Sequence, residues 1–105
     1  MTDANELSTV DALTIADEPA ADRYEARLGD ELVGIIDYRL YPDRITLVHT
    51  EILPEHEGRG IASRLARFAL DDARHRGLRV RPSCPYVAAY LQRHPEYADI
   101  IYRPA

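Results

Sequence analysis

From Tyr24 onward apolar and charged residues alternate in runs with a period of two, and beyond Pro54 the spacing lengthens to that of a helix. Tyr24, Ala26 and Leu28 alternate with charged residues, Gly29-Asp30 supplies a turn, and Gly34, Ile36, Tyr38 and Leu40 share one face of a second run. This predicts a β-hairpin. Tyr41-Pro42-Asp43-Arg44 has turn chemistry. Residues 45–53 then read as a third strand, with Ile45, Leu47, His49 and Glu51 on one face and Thr46, Val48, Thr50 and Ile52 on the other. Pro54 ends the meander.

Ile61, Leu65, Phe68, Ala69 and Ala73 next fall on one helical stripe, with arginines and aspartates opposite. Arg74, His75 and Arg76 suit the negative end of that helix, and Gly77 is its stop. Residues 78–82 form a short strand, and Pro85 opens a second helix through Tyr86, Val87, Tyr90 and Leu91 that Pro95 ends near His94. Residues 97–102 are expected to add one last short element. A strand, a helix and a strand within about 35 residues make a βαβ crossover, so the third and fourth of these strands should run parallel. The fold class is therefore α/β with a mixed sheet: a three-stranded antiparallel meander, a βαβ crossover and a C-terminal helix.

Residues 1–20 show no sustained period and read as a mobile tail or an adventitious strand. The division that follows is an acidic tail over residues 1–22 and one folded domain over residues 23–105. A chain of 105 residues supports one core and one principal site.

Charge sharpens the picture. The net charge of -5 is dominated by the first 22 residues, which hold six acids and no base, and residues 23–105 carry 13 arginines against 12 acids. Residues 57–81 alone hold seven arginines and three acids. A discrete anionic small molecule fits this better than nucleic acid, for which aromatic stacking residues or a reading helix are missing. One cysteine rules out an intrachain disulfide, and no apolar run is long enough for a signal peptide or a membrane span, so a cytoplasmic location is expected. Lysine is absent, which leaves the N-terminus as the chain's own acylatable amine.

The local arginine excess surrounds Glu57-Gly58-Arg59-Gly60-Ile61-Ala62-Ser63-Arg64, which follows a strand and opens a helix. Two glycines at a helix start let backbone N–H groups converge where the macrodipole favours an anion, and a phosphate or pyrophosphate is the natural guest. A dinucleotide fingerprint would want a third glycine where Ser63 stands, and a P-loop would want a lysine. A turn that merely joins strand to helix is the competing reading.

His49-Thr50-Glu51, Pro54, Gly58-Arg59-Gly60-Ile61-Ala62, Pro82-Ser83-Cys84-Pro85-Tyr86-Val87 and Arg93-His94-Pro95-Glu96-Tyr97, in that order, resemble the small single-domain branch of the GNAT superfamily of acetyl-CoA-dependent N-acetyltransferases. The resemblance runs from about Tyr24 to Tyr102. It implies that Gly58, Arg59, Gly60, Ile61, Ala62, Ser63 and Arg64 hold the CoA pyrophosphate. It also implies that the last two strands splay, so that pantetheine lies between them and pairs with main chain at Ile52 and Leu53. Glu57 departs from the family pattern, which has Gln or Arg there; the reading adopted is that Glu57 turns outward and Arg59 or Arg64 supplies the cation, because backbone groups carry most of the interaction.

As N-cap of the helix opened by Pro85, Cys84 is expected to face free N–H groups, which favour a thiolate. A dipole worth about 0.3–1 kcal/mol shifts a pKa by less than about one unit, so a further cation is needed, with Arg81 and His94 as candidates. The resemblance implies that Cys84 takes part in acetyl transfer; a packed, half-buried cysteine is the alternative. Direct attack by an amine needs a base, for which Glu51 and His49 are candidates, and His94 reads as a helix-terminal residue satisfying carbonyls. No second cysteine or paired-His spacing supports a metal.

The expected function is an N-acetyltransferase with acetyl-CoA as cofactor and an amine as acceptor, a protein amine being favoured because so short a chain has little to wall a pocket, unless a homodimer supplies the wall. The alternative is a non-catalytic or weakly active CoA-binding or interaction module.

Overall fold

A computed structural model describes residues 12–104, so the tail reading of residues 1–11 lies outside the described residues. Strands β1 (Leu13–Glu18), β2 (Arg23–Leu28), β3 (Glu31–Leu40), β4 (Arg44–Ile52) and β5 (Arg79–Pro82) form one sheet in sequence order. Helix α1 (Ile61–His75) connects β4 to β5, and α2 (Pro85–Arg93) follows β5. The first four strands pair antiparallel and β5 lies parallel to β4, as the crossover requires. A 3₁₀ segment (Pro95–Ile100) and a bridge from Ile101 to Val80 close the chain.

Of the two readings for the segment before residue 22, the strand is the one that forms over residues 13–18. Leu13 is buried, and Asp17 is held from two distant elements: it accepts a hydrogen bond from Tyr38 Oη at 2.6 Å and one from Arg76. These partners are 21 and 59 residues away, beyond the reach of any local pattern.

Two bulges shape the sheet. Val33 is the extra residue where β3 faces Ala26 and Arg27, and its carbonyl accepts the Leu53 N–H at 2.9 Å, which ties down the end of β4. The second bulge is in β4: Asp37 pairs with His49 but Tyr38 pairs with Leu47, so Val48 is extra. Because side chains alternate along a strand, one added residue exchanges the faces beyond it. Leu47 stays in the core, but Thr50 and Ile52 turn to the helix side, and His49 and Glu51 turn to the other. The simple alternation that grouped His49 and Glu51 with Leu47 is thereby corrected.

One core lies between the sheet and both helices. The buried stripe of α1 is Ile61, Leu65, Ala66, Ala69, Leu70 and Ala73. Ala66 and Leu70 belong to it, whereas Phe68, expected inside, is 36% exposed and meets Tyr24 edge-on at the margin of the sheet. Gly77 at φ +72° ends α1, with its N–H on the Arg74 carbonyl and the Leu78 N–H on the Ala73 carbonyl. That is the paired-carbonyl stop for which a left-handed glycine is suited. Among the described residues the opposite face of the sheet carries no helix and is mostly polar. On it Glu25 is only 6% exposed: burial alone would raise its pKa, yet hydrogen bonds from Arg23 at 2.8 Å and Arg27 at 3.0 Å hold the carboxyl below its ordinary value. Among the described residues no helix is long and apolar enough to cross a membrane.

Three tyrosine hydroxyls donate to carboxylates around the core: Tyr24 to Asp72 at 2.7 Å, Tyr38 to Asp17 at 2.6 Å and Tyr97 to Asp71 at 2.6 Å. Burial first, and the carboxylate second, raise all three phenols, Tyr97 to about 12. Below the unfolded tyrosine value of about 10 these contributions are complete. Above it the unfolded chain loses phenolic protons that the folded chain keeps, so stability falls as pH rises. The urea midpoint should accordingly hold up to about pH 10 and decline toward 12, less steeply in Tyr97→Phe. A midpoint that stays level across that interval would contradict the assignment.

Candidate active site

The parallel pairing of β4 with β5 covers only residues 44–47 against 79–82, and its last bond is the Cys84 N–H on the Leu47 carbonyl at 2.9 Å. Beyond that point β4 continues to Ile52, while the chain after β5 turns into α2. Pro82 and Pro85 both lack the N–H that would extend the ladder. Residues 48–52 thus have a β4 edge with no strand beside it among the described residues, and the two strands part as a fork with Cys84 at its apex.

At the mouth of the fork stands the glycine segment. Gly58 and Gly60 have φ of +78° and +79°, the left-handed region open to glycine, and a Cβ built on either meets nothing within 4 Å. Gly60 caps α1 without any side-chain hydrogen bond, and the first helical bond is the Arg64 N–H on the Gly60 carbonyl at 3.1 Å. The N–H groups of Ile61, Ala62 and Ser63 precede that bond and have no partner within the helix. They open on a cleft of about 320 Å³ lined by Ile52, His56, Glu57, Gly58, Gly60, Ile61, Ala62, Ser63 and Tyr86. A larger groove of about 880 Å³ lies at the other end of the sheet, beside Asp43, Arg79 and Asp99, far along β4 from this cradle.

Most of the expected binding residues therefore meet in one place, but not all. Leu53 does not line the cleft: its N–H is on the Val33 carbonyl and its carbonyl accepts from His56 at 2.8 Å. Arg59 and Arg64 do not line the cleft, and Glu57 does. Glu57, Arg59 and Arg64 are all exposed to solvent. Glu57 follows a short 3₁₀ turn over Pro54–His56 in extended conformation, a geometry the motif does not encode.

The candidate chemical groups divide between the two faces of the sheet. Cys84 is 3% exposed, and its Sγ lies 3.2 Å from Thr50 Oγ1. No side-chain bond to the helix caps α2, so the expectation that the thiol faces the α2 amides is corrected: the sulfur points across the fork to β4. His49 and Glu51 sit 3.2 Å apart on the helix-free face, 55% and 65% exposed at their side chains. They are not brought to the thiol. His94 Nδ1 is 2.8 Å from the Tyr90 carbonyl and its ring stacks on Tyr90 at 3.8 Å, as a helix-terminal residue would.

Thr50, Tyr86 and His56 are the site residues that sequence reasoning passed over. Tyr86 is half-buried and bonded to Ser63, and its phenol is raised, by burial first and partly offset by Arg93. Its signals in the sequence were its place two positions after Cys84 and its membership of the Pro82-Ser83-Cys84-Pro85-Tyr86-Val87 motif. His56 is within 3.5 Å of Glu31, and its Nδ1 is buried without a partner.

Residues 23–100 match the family model described as GCN5-related N-acetyl-transferase. The chain belongs to that family. Over 51 residues it is 37% identical to Protein NATD1 of Gallus gallus and of Homo sapiens, which covers 49% of this chain. The chain spans about half the length of these curated relatives, 46% and 45%. Among solved structures it is similar to a GCN5-like protein from Staphylococcus aureus, with a TM-score of 0.67 and 22% identity over 90% of this chain and 92% of that one. A ribosomal-protein-alanine N-acetyltransferase from Brucella melitensis biovar Abortus 2308 aligns at a TM-score of 0.55 and 22% identity, over 79% and 62% of the two chains. At that identity the structures show a shared fold.

Since the space beside Gly60 is open, Gly60→Ala changes stability only through its left-handed backbone, by about 1–2 kcal/mol. Gly34→Val differs, because even a Cβ there would meet Ile52 Cδ1 at 2.6 Å and Leu65 Cδ1 at 3.0 Å. Chemical denaturation should show Gly34→Val losing about 1–3 kcal/mol from overpacking, and a neutral result would mean that Ile52 and Leu65 can step aside.

Proposed function

We propose that this chain is an acetyl-CoA-dependent N-acetyltransferase acting on an amine brought from outside the molecule, a protein amine in the first instance. The observation that carries the reading is the coincidence of the cradle with the fork: free helix-start amides open directly onto the unpaired edge of β4. The cradle fits a diphosphate, because two glycines leave room where side chains would intrude and the donors are backbone groups whose strength does not depend on Arg59 or Arg64. Glu57 on the wall weakens that fit without abolishing it, since it is solvent-exposed and screened.

Acetyl-CoA, when bound, supplies an acetyl group activated as a thioester. The chain contributes the rest. Amides of residues 61–63 hold the diphosphate, and the open edge of residues 48–52 offers main-chain groups to an extended amide-bearing arm. Tyr86, kept protonated by burial, holds a proton on Oη at the cleft wall for a departing sulfur. Cys84 Sγ lies at the apex, where the chain can receive an acyl group. His49 and Glu51 lie on the open face rather than at the thiol, so they take the proton of the approaching amine through water. Among the described residues no helix walls that face, which supports an acceptor as large as a protein.

Titration calorimetry with acetyl-CoA should give binding heat, and Gly60→Val should lower affinity at least tenfold by filling the cradle. Incubation with acetyl-CoA and an amine panel should yield acetylated amine. Intact mass then separates the routes: an acetyl adduct on the protein that survives Cys84→Ala removes the cysteine from the mechanism. Binding with no amine acetylated would leave a CoA-binding module, and no heat at all would defeat both readings.

A further inference from the structure

We propose that Thr50 is a positioning residue for Cys84: its hydroxyl donates a hydrogen bond to the sulfur, holds it at the apex of the fork and stabilises the anion that forms there when the thiol gives up its proton. This rests on the reading that Cys84 takes part in acyl transfer. The bulge at Val48 creates the contact. Without it Thr50 would fall on the open face with Thr46; with it, Thr50 turns to the helix side, and its Oγ1 comes within 3.2 Å of Sγ. The sulfur is anchored from its own backbone as well, by the Cys84 N–H on the Leu47 carbonyl and the Ala88 N–H on the Cys84 carbonyl at 3.0 Å. Both ends of the pair are therefore fixed to rigid elements.

The direction of the bond follows from the chemistry of the two groups. A thiol is a weak donor and a threonine hydroxyl a good one, and a thiolate can only accept. At 3% exposure water cannot solvate the anion, and the α2 amides do not reach it through a cap. Thr50 is the polar side chain set against it. A β-branched side chain on a strand has few rotamers to lose, so the donor is held in place at little entropic cost.

Thiolate absorbance in the ultraviolet, followed against pH in cofactor-free protein with the Cys84→Ala spectrum subtracted, tests this. The chain has one cysteine, so the signal is unambiguous. Thr50→Ser should titrate as the parent does, and Thr50→Val should titrate roughly one pH unit higher, the loss of one charge-assisted bond. Thr50→Ala gives the same comparison should the valine fail to fold. A midpoint that is unchanged or lower in the valine and alanine variants overturns the proposal, because it would make Cys84 the donor or the contact inert. Since no acetyl-CoA is present, a failed titration with acetyl transfer intact sinks this inference alone, whereas a shifted midpoint without acetyl-CoA binding sinks the transferase reading alone.

Discussion

The parting of β4 from β5 after Leu47 is the constraint on which the site depends. A parallel pair held by main-chain bonds would be continuous if the chain allowed it, and here Pro82 and Pro85 withhold donors just where the ladder would go on. The bulge at Val48 adds twist at the same level of β4. Neither feature alone opens a fork. Together they leave the β4 edge beside the thiol at one end and beside the start of α1, through Ile52, at the other.

Much of this was legible in the sequence, because most of the elements are locally determined. The hairpin over β2 and β3, the strand β4, the amphipathic α1 with its glycine stop and the proline-opened α2 were all written in periods, turns and caps. The parallel β5 followed from the length of the crossover. The cradle was legible for a similar reason, since a left-handed glycine before a helix is a local property of the backbone.

What the sequence hid depends on register and on distance. A bulge has no residue signature in Leu47-Val48-His49, and by exchanging faces it separated His49 and Glu51 from Cys84 and delivered Thr50 instead. β1 escaped a firm reading because, of its residues, only Leu13 is buried: the strand is held by its ladder to β2 and by Tyr38 and Arg76 on Asp17 rather than by an apolar face. Which residues wall the cleft depends also on the short 3₁₀ turn over Pro54–His56 ahead of Glu57, which has no motif signature. The family assignment and the fold neighbours agree with the element order, which is the part that local physics determined.

The three alanines on the buried stripe of α1, Ala66, Ala69 and Ala73, have a consequence for the socket at its head. Small contact residues seat a helix close against strands and leave it little freedom to rock. The amides at the start of α1 are therefore held in place by contacts one to three turns further along the helix, and their alignment is a by-product of core packing.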